Sequence, residues 1–256
     1  MQDLKITIIQ TEIFWEDIKA NLDMFDEKLN KISEQTDLII LPEMFSTGFS
    51  MNTEKLAENM NGSAVNWIKH KSTKKHTDIA GSIIIKEKGN FFNRLVWAKP
   101  DNTFTIYDKK HLFRMADENK AYSAGESKIT VNLNGWKVRP FICYDLRFPV
   151  WTRNFDNEYD LAVYIANWPE PRSYHWKTLL KARAIENQCY VAGVNRIGQD
   201  GNDVLYSGDS LVIDPLGNPF FEAGTKPCVN TVKLSYEVLK EYRTAFPTWM
   251  DADYKS

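Results

Sequence analysis

Between Leu4 and Leu41 the chain spells strand, helix, strand, and that order restricts what the rest can build. Leu4, Ile6 and Ile8 alternate with other residues along a first strand, Leu4–Gln10. Ile18, Leu22, Phe25, Leu29 and Ile32 then recur at intervals of four, three, four and three, one stripe of a helix. Asp37–Leu41 is a continuous apolar run behind an acid, the pattern of a strand covered on both faces. Such a βαβ unit pairs its strands in parallel through a right-handed crossover.

The remainder repeats the rhythm with interruptions. A helix is expected around Ala64–Lys75, then a strand at Ile79–Ile85. Phe91–Ala98 and Thr103–Tyr107 flank Lys99-Pro100-Asp101-Asn102, where proline fixes φ and Asp/Asn side chains bond local backbone, so a hairpin is expected. After a polar, irregular stretch come strands at Ile129–Leu133, Trp136–Ile142 and Leu161–Ala166. Trp176, Leu179, Leu180 and Ala184 mark an amphipathic helix, followed by the strand Tyr190–Asn195. A second hairpin (Ser210–Ile213, Phe220–Glu222), a last strand (Val229–Leu234) and a short helix (Tyr236–Tyr242) complete the chain. Hairpins mixed with βαβ units do not fit one doubly wound sheet. Two mixed sheets packed together, with helices outside each, do. With 43% apolar residues and no linker or low-complexity tract, positions 1–256 read as a single domain.

Several function classes fall away. A formal charge of −2 and a pI near 6.1 offer nothing to a nucleic acid or an anionic membrane. The basic cluster Lys69–Lys75 reads as the wet face of a helix. Cys143, Cys189 and Cys228 are an odd set without Cys-x-x-Cys spacing, which suits a reducing compartment. The N-terminus carries Asp3 and Glu12 and lacks a signal peptide's basic and apolar regions. No apolar run approaches the roughly 20 residues of a membrane span, so a cytoplasmic protein is expected. The histidines (His70, His76, His111, His175) have no metal-ligand spacing, and no phosphate-binding glycine motif or Gly-x-Ser-x-Gly occurs. Neither a metal nor an organic cofactor is expected.

Three apolar strands end in a polar residue of chemical use: Leu38–Pro42 delivers Glu43, Val138–Ile142 delivers Cys143, and Leu161–Ala166 delivers Asn167. As parallel neighbours, these strands would gather the three groups at one rim, where α/β proteins bind ligands. A thiol with pKa near 8.5 is little ionised at neutral pH, and a nearby carboxylate can take its proton. A cysteine attacking a carbonyl also creates an oxyanion that needs donors in place. The N–H of Tyr144 is one candidate, and a lysine just past the first hairpin, Lys109 or Lys110, another. Strand alternation does not choose between the two lysines.

Leu-Pro-Glu-Met-Phe around Glu43, Tyr-Asp-Lys-Lys-His-Leu-Phe at 107–113 and Cys-Tyr-Asp-Leu-Arg-Phe-Pro at 143–149 resemble, in order, the three signatures of the nitrilase (carbon–nitrogen hydrolase) superfamily. The likeness runs nearly end to end, through Ala182–Asn187 and Gly208–Ser210. Asn167-Trp168-Pro169 and Phe113-Arg114-Met115-Ala116 are most similar to bacterial ω-amidases. The resemblance implies an αββα sandwich that becomes four-layered in a homodimer. It selects Lys109 as the catalytic lysine, and it implies a second glutamate, which Glu118 fits best, with Glu126 in the same segment.

The implied reaction is amide hydrolysis through a Cys143 thioester, with Glu43 as base and Lys109 and the Tyr144 N–H as oxyanion donors. ω-Amidases act on small monoamides of dicarboxylic acids, such as 2-oxoglutaramate. The free carboxylate of such a substrate calls for a cation, for which Arg172 is the candidate. Asn167 is a further candidate contact, and Phe45, Trp168 and Tyr144 could line a narrow apolar wall. Competing readings are a Cys143–His175–Asn167 hydrolase, a nitrilase or carbamoylase of the same superfamily, and a non-catalytic metabolite-binding relative.

Overall fold

The computed structural model describes residues 1–252. The first half builds β1 (Leu4–Gln10), β2 (Leu38–Ile40), β3 (Asp78–Glu87), β4 (Asn90–Ala98) and β5 (Phe104–Asp108). The second builds β6 (Val131–Leu133), β7 (Trp136–Ile142), β8 (Leu161–Ala166) and β9 (Tyr190–Asn195). There follow β10 (Ile197–Gln199), β11 (Leu205–Ser207), β12 (Leu211–Ile213), β13 (Pro219–Glu222) and β14 (Cys228–Leu234). These form two six-stranded sheets, ordered β14-β1-β2-β3-β4-β5 and β13-β12-β9-β8-β7-β6, plus the small hairpin β10-β11. In each large sheet a parallel trio, β1-β2-β3 or β7-β8-β9, is flanked by antiparallel strands. The two mixed sheets with helices outside them are the architecture expected from the hairpin-interrupted βαβ pattern.

Alternation along the strands assigns the layers. Leu4, Ile6, Ile8, Leu38, Ile40 and Trp97 share one core with Val138, Leu161 and Val191 of the second sheet. Their neighbours Ile9, Ile39, Leu41 and Val96 point the other way and pack on Phe25, Leu29, Val65 and Ile68. Those four lie on the helices Ile18–Asn30 and Ser63–Lys75. The first helix opens on Asp17, whose side chain accepts from the Ala20 N–H at 2.9 Å, and ends before Ile32. Ile32 therefore packs from beyond the helix end rather than from its stripe. On the second sheet, helix Ser173–Asn187 lays Trp176, Leu180 and Ala184 against the same core.

The topology corrects one sequence expectation. β7 and β8 are parallel neighbours, but β2 belongs to the other sheet. Glu43 therefore approaches Cys143 and Asn167 from the facing sheet, not from along one rim. Among the described residues no helix is long and apolar enough to cross a membrane. The interlayer packing makes a stability prediction: Ile40→Ala, at a fully buried position, should cost about 2–5 kcal/mol in urea unfolding. A loss under about 1 kcal/mol would contradict a close-packed layer there.

Candidate active site

Cys143 stands at the end of β7, where the backbone leaves the strand at φ +44° and enters a short 3-10 turn, Cys143–Arg147. A left-handed conformation costs a side-chain-bearing residue about 1–2 kcal/mol. Here it lifts the sulfur out of the core to 9% residue exposure, at the floor of a cavity of about 910 Å³. Its sulfur lies 3.9 Å from the Asn167 carbonyl oxygen. Met44, just after Glu43, makes a matching left-handed turn at φ +45°.

Glu43 is fully buried, and both its oxygens are held. Oε1 accepts from Lys109 Nζ and Asn93 Nδ2, each at 2.8 Å, and Oε2 accepts from the Asn167 N–H at 2.7 Å. The Asn167 side chain donates to the Glu43 carbonyl at 2.6 Å, so one residue of the second sheet grips both ends of a residue from the first. Lys109 follows β5 and donates also to Glu118 Oε1 at 2.9 Å and Oε2 at 3.0 Å. Glu118 opens a one-turn helix and accepts the Phe113 N–H at 2.6 Å. The lysine backbone is fixed as well: its carbonyl accepts the Gly125 N–H at 2.9 Å. A Cβ at position 125 would come 2.1 Å from the Asp108 carbonyl oxygen, so only glycine allows this approach.

Two carboxylates and one ammonium thus sit out of water together. Burial alone would lower the Lys109 pKa, but the charges of Glu118 and Glu43 outweigh it and raise it. Burial raises the Glu118 carboxyl, with Lys109 opposing and Glu43 reinforcing. The Cys143 thiol is pushed well above the ordinary thiol range, by burial first and by Glu43 next, while Lys109 pulls it down. The resting sulfur is therefore a neutral thiol that needs a base, and the Glu43 carboxyl group is already hydrogen-bonded into place.

Of the residues singled out in the sequence, Lys109, Cys143, Tyr144, Asn167, Trp168 and Arg172 all line the one cavity. Glu43 and Glu118 lie behind its wall, bonded to Lys109. The neighbouring lysine, Lys110, extends instead over the Trp151 ring at 5.3 Å. Phe45 is a correction: it is fully buried away from the cavity, with its ring against Phe25 (5.5 Å) and Trp67 (5.6 Å). The turn at Met44 sends it toward the outer helices. Phe49 stands in the wall instead, with Lys109 Nζ 5.1 Å from its ring centre. His175 is exposed and shares a hydrogen bond with Arg147, not with Cys143, which disfavours the Cys–His–Asn scheme.

Arg147 was not singled out by sequence, although it sits four residues past the cysteine. It lines the cavity, with its guanidinium 4.8 Å over Trp168, while Arg172 lies 5.3 Å over Phe113. Neither arginine pairs with a carboxylate among the described residues. Burial and then the charge of Arg172 lower the Arg147 pKa, so the two cations stand close enough to repel each other. The hairpin β10-β11 was also missed. It supplies Leu205 and Tyr206 to the wall, and its signal was the turn dipeptide Asp200-Gly201. Among the described residues no group of three His, Cys, Asp or Glu side chains is placed to hold a metal ion.

A carbon–nitrogen hydrolase is the class that such a sandwich, with a cysteine beside a buried glutamate–lysine pair, describes. The profile of the carbon–nitrogen hydrolase family matches residues 5–244, and the chain belongs to that family. It is 48% identical to the omega-amidase YafV of Escherichia coli K12, over 99% of this chain and 98% of the relative. It is 35% identical to the 2-oxoglutaramate amidase of Bacillus subtilis 168, over 96% of each. Its fold superimposes with a TM-score of 0.98 on a CN-hydrolase superfamily protein from Xanthomonas campestris that carries an arsenic adduct in its active site. That protein is 44% identical, with 100% of this chain and 99% of that one covered.

The burial of the sulfur sets a pH expectation. A raised thiol pKa means that the ionised fraction keeps growing with pH, beyond the ordinary midpoint. Alkylation of Cys143 by iodoacetamide, read by peptide mass spectrometry, should still be rising above about pH 8.5, the ordinary thiol value. Cys189, with no exposure, should stay unlabelled in the native protein. A Cys143 rate already flat below that pH would contradict a thiol held up by desolvation.

Proposed function

We propose that this protein hydrolyses the terminal carboxamide of small ω-monoamides of dicarboxylic acids, of the 2-oxoglutaramate and 2-oxosuccinamate type, through a thioester on Cys143. The observation that carries the proposal is the buried Glu43–Lys109–Glu118 cluster opening on the same cavity as the cysteine. Glu43 accepts the Cys143 proton, and the thiolate attacks the amide carbon. The oxyanion is held by the Lys109 ammonium and the Tyr144 N–H, with Glu118 keeping the ammonium in register. Collapse breaks the C–N bond, and Glu43 returns its proton to the departing ammonia. Water, deprotonated by Glu43, then cleaves the thioester and restores the thiol. Splitting the hydrolysis into two easier displacements is the gain of covalent catalysis.

The cavity chemistry supports the substrate class. A guanidinium can take a carboxylate in a bidentate grip, and Arg172 is assigned that role, with Arg147 beside it. Trp168 and Asn167 complete the walls of the substrate pocket in this reading. The names of the relatives, an omega-amidase and a 2-oxoglutaramate amidase, point the same way. Positions 1–256 are taken as one catalytic domain acting in the cytoplasm, with a small amide as its ligand and no nucleic-acid or membrane partner. The exposed side chains Val150, Tyr174 and Ile185, on helices outside the second sheet, offer an apolar face for a homodimer of four layers.

Ammonia release across ω-amides of increasing chain length tests the reading. Cys143→Ser and Glu43→Gln should each lose at least about 10³-fold in kcat for 2-oxoglutaramate, as nucleophile and base. Near-normal turnover in either would refute the mechanism. Arg172→Ala should raise KM by about tenfold or more, the scale of a lost charge-assisted hydrogen bond, and an unchanged KM would remove the carboxylate grip.

A further inference from the structure

Asp145 is a fully buried carboxylate that the mechanism above does not use. It lies two residues past the cysteine, and every hydrogen bond it accepts reaches a place that matters to the lysine or the sulfur. Oδ2 accepts from the Tyr107 hydroxyl at 2.6 Å and from the Ile142 N–H, the last of β7, at 3.1 Å. Oδ1 accepts from the His111 N–H at 3.0 Å and pairs with His111 Nδ1 at 2.8 Å. Tyr107 and His111 stand two residues before and two residues after Lys109. The carboxylate therefore brackets the lysine on both sides while holding the amide that leads into Cys143.

We propose that Asp145 is a positioning residue that sets the distance between the Lys109 ammonium and the Cys143 sulfur. The two come from different sheets, and their side chains do not bond each other. Asn167 ties Lys109 to the second sheet only through Glu43, whereas Asp145 joins the segment around Lys109 directly to the cysteine turn. The bracket is stiff. Trp151 Nε1 donates to the Tyr107 oxygen at 3.0 Å, and the His111 ring stacks on Phe148 at 3.7 Å between centroids. Phe148 in turn donates its N–H to the Asp145 carbonyl at 3.0 Å. An amide cannot replace the carboxylate, because its NH₂ would face a donor on one side or the other. Oxyanion donors act through exact distance, and a displacement of about 1 Å can cost about 10²-fold in rate.

This inference rests on the amidase reading for its kinetic arm only. Asp145→Asn should lower kcat per titratable thiol by about 10–100-fold with KM within about threefold. Tyr107→Phe, which opens one side of the bracket, should lose less, and the double variant should be no slower than Asp145→Asn alone. A kcat within threefold of the parent, or losses that multiply in the double variant, would overturn the proposal. Should Asp145→Asn not fold, Tyr107→Phe and His111→Ala cut the same tie from the lysine side. Unchanged kcat in both would overturn it equally. A second arm needs no amide: the pH profile of Cys143 alkylation by iodoacetamide. Withdrawal of the lysine charge should move that profile to higher pH in Asp145→Asn, and superimposable profiles would refute the idea. A parent protein with no amide turnover would sink the amidase reading and leave this arm standing.

Discussion

The ammonium of Lys109 is the interaction on which the site depends. Without it, Glu43 and Glu118 would be two like charges sharing a space that water does not reach, and one would have to take up a proton. Removing one partner of a buried ion pair costs about 3–5 kcal/mol, most of it the price of stranding the other charge. The same ammonium holds the Glu43 carboxyl group in place beside the thiol. It also draws together three segments distant in sequence: the end of β2, the end of β5 and the turn at Phe113–Glu118. A group suited to stabilising an oxyanion is thereby locked in place before any substrate arrives, which is the condition for electrostatic preorganisation.

The site is assembled across both sheets. Glu43 and Lys109 come from the first sheet, Cys143 and Asn167 from the second, and the core between them fixes their separation. Local turns then aim the side chains. The left-handed residues Met44 and Cys143 each redirect the chain immediately beyond a strand end. Their conformational cost is sustained by hydrogen bonds made nearby: the Ser82 hydroxyl accepts the Met44 N–H at 2.8 Å, and Asp145 holds the amide just before the cysteine.

The strand ends were legible in sequence because burial on both faces produces continuous apolar runs, and a polar residue closing such a run stands out. Glu43, Cys143 and Asn167 were found in that way. Lys109 was not separable from Lys110 by pattern, because both faces of β5 accept apolar or polar residues; only the family resemblance chose it. Phe45 was misplaced because a single left-handed residue at Met44 reverses which way its neighbour points, and composition carries no trace of that. Asp145 and Arg147 escaped for another reason. Their meaning lies in contacts with residues 28 to 38 positions away, through His175, Tyr107 and His111, which no local period encodes. The expected strand at Ile129 starts later, at Val131, since the residues before it find no partner strand.

The cavity is electrically lopsided, and on the proposed reading that asymmetry orients the substrate. Behind the sulfur, two carboxylates against one ammonium leave a net negative charge when both are ionised. Elsewhere on the cavity wall, Arg147 and Arg172 present two guanidiniums stacked on Trp168 and Phe113, and neither forms an ion pair with a carboxylate among the described residues. In a partly desolvated space such fields act with an effective dielectric well below that of water. A monoamide bearing one carboxylate is then drawn carboxylate toward the arginines, which leaves its neutral carboxamide for the cysteine. The reversed pose would set a carboxylate against Glu43 and strand both cations. Hydrolysis turns the carboxamide into a second carboxylate at the negative end, so the field that orients the substrate also favours the product's release.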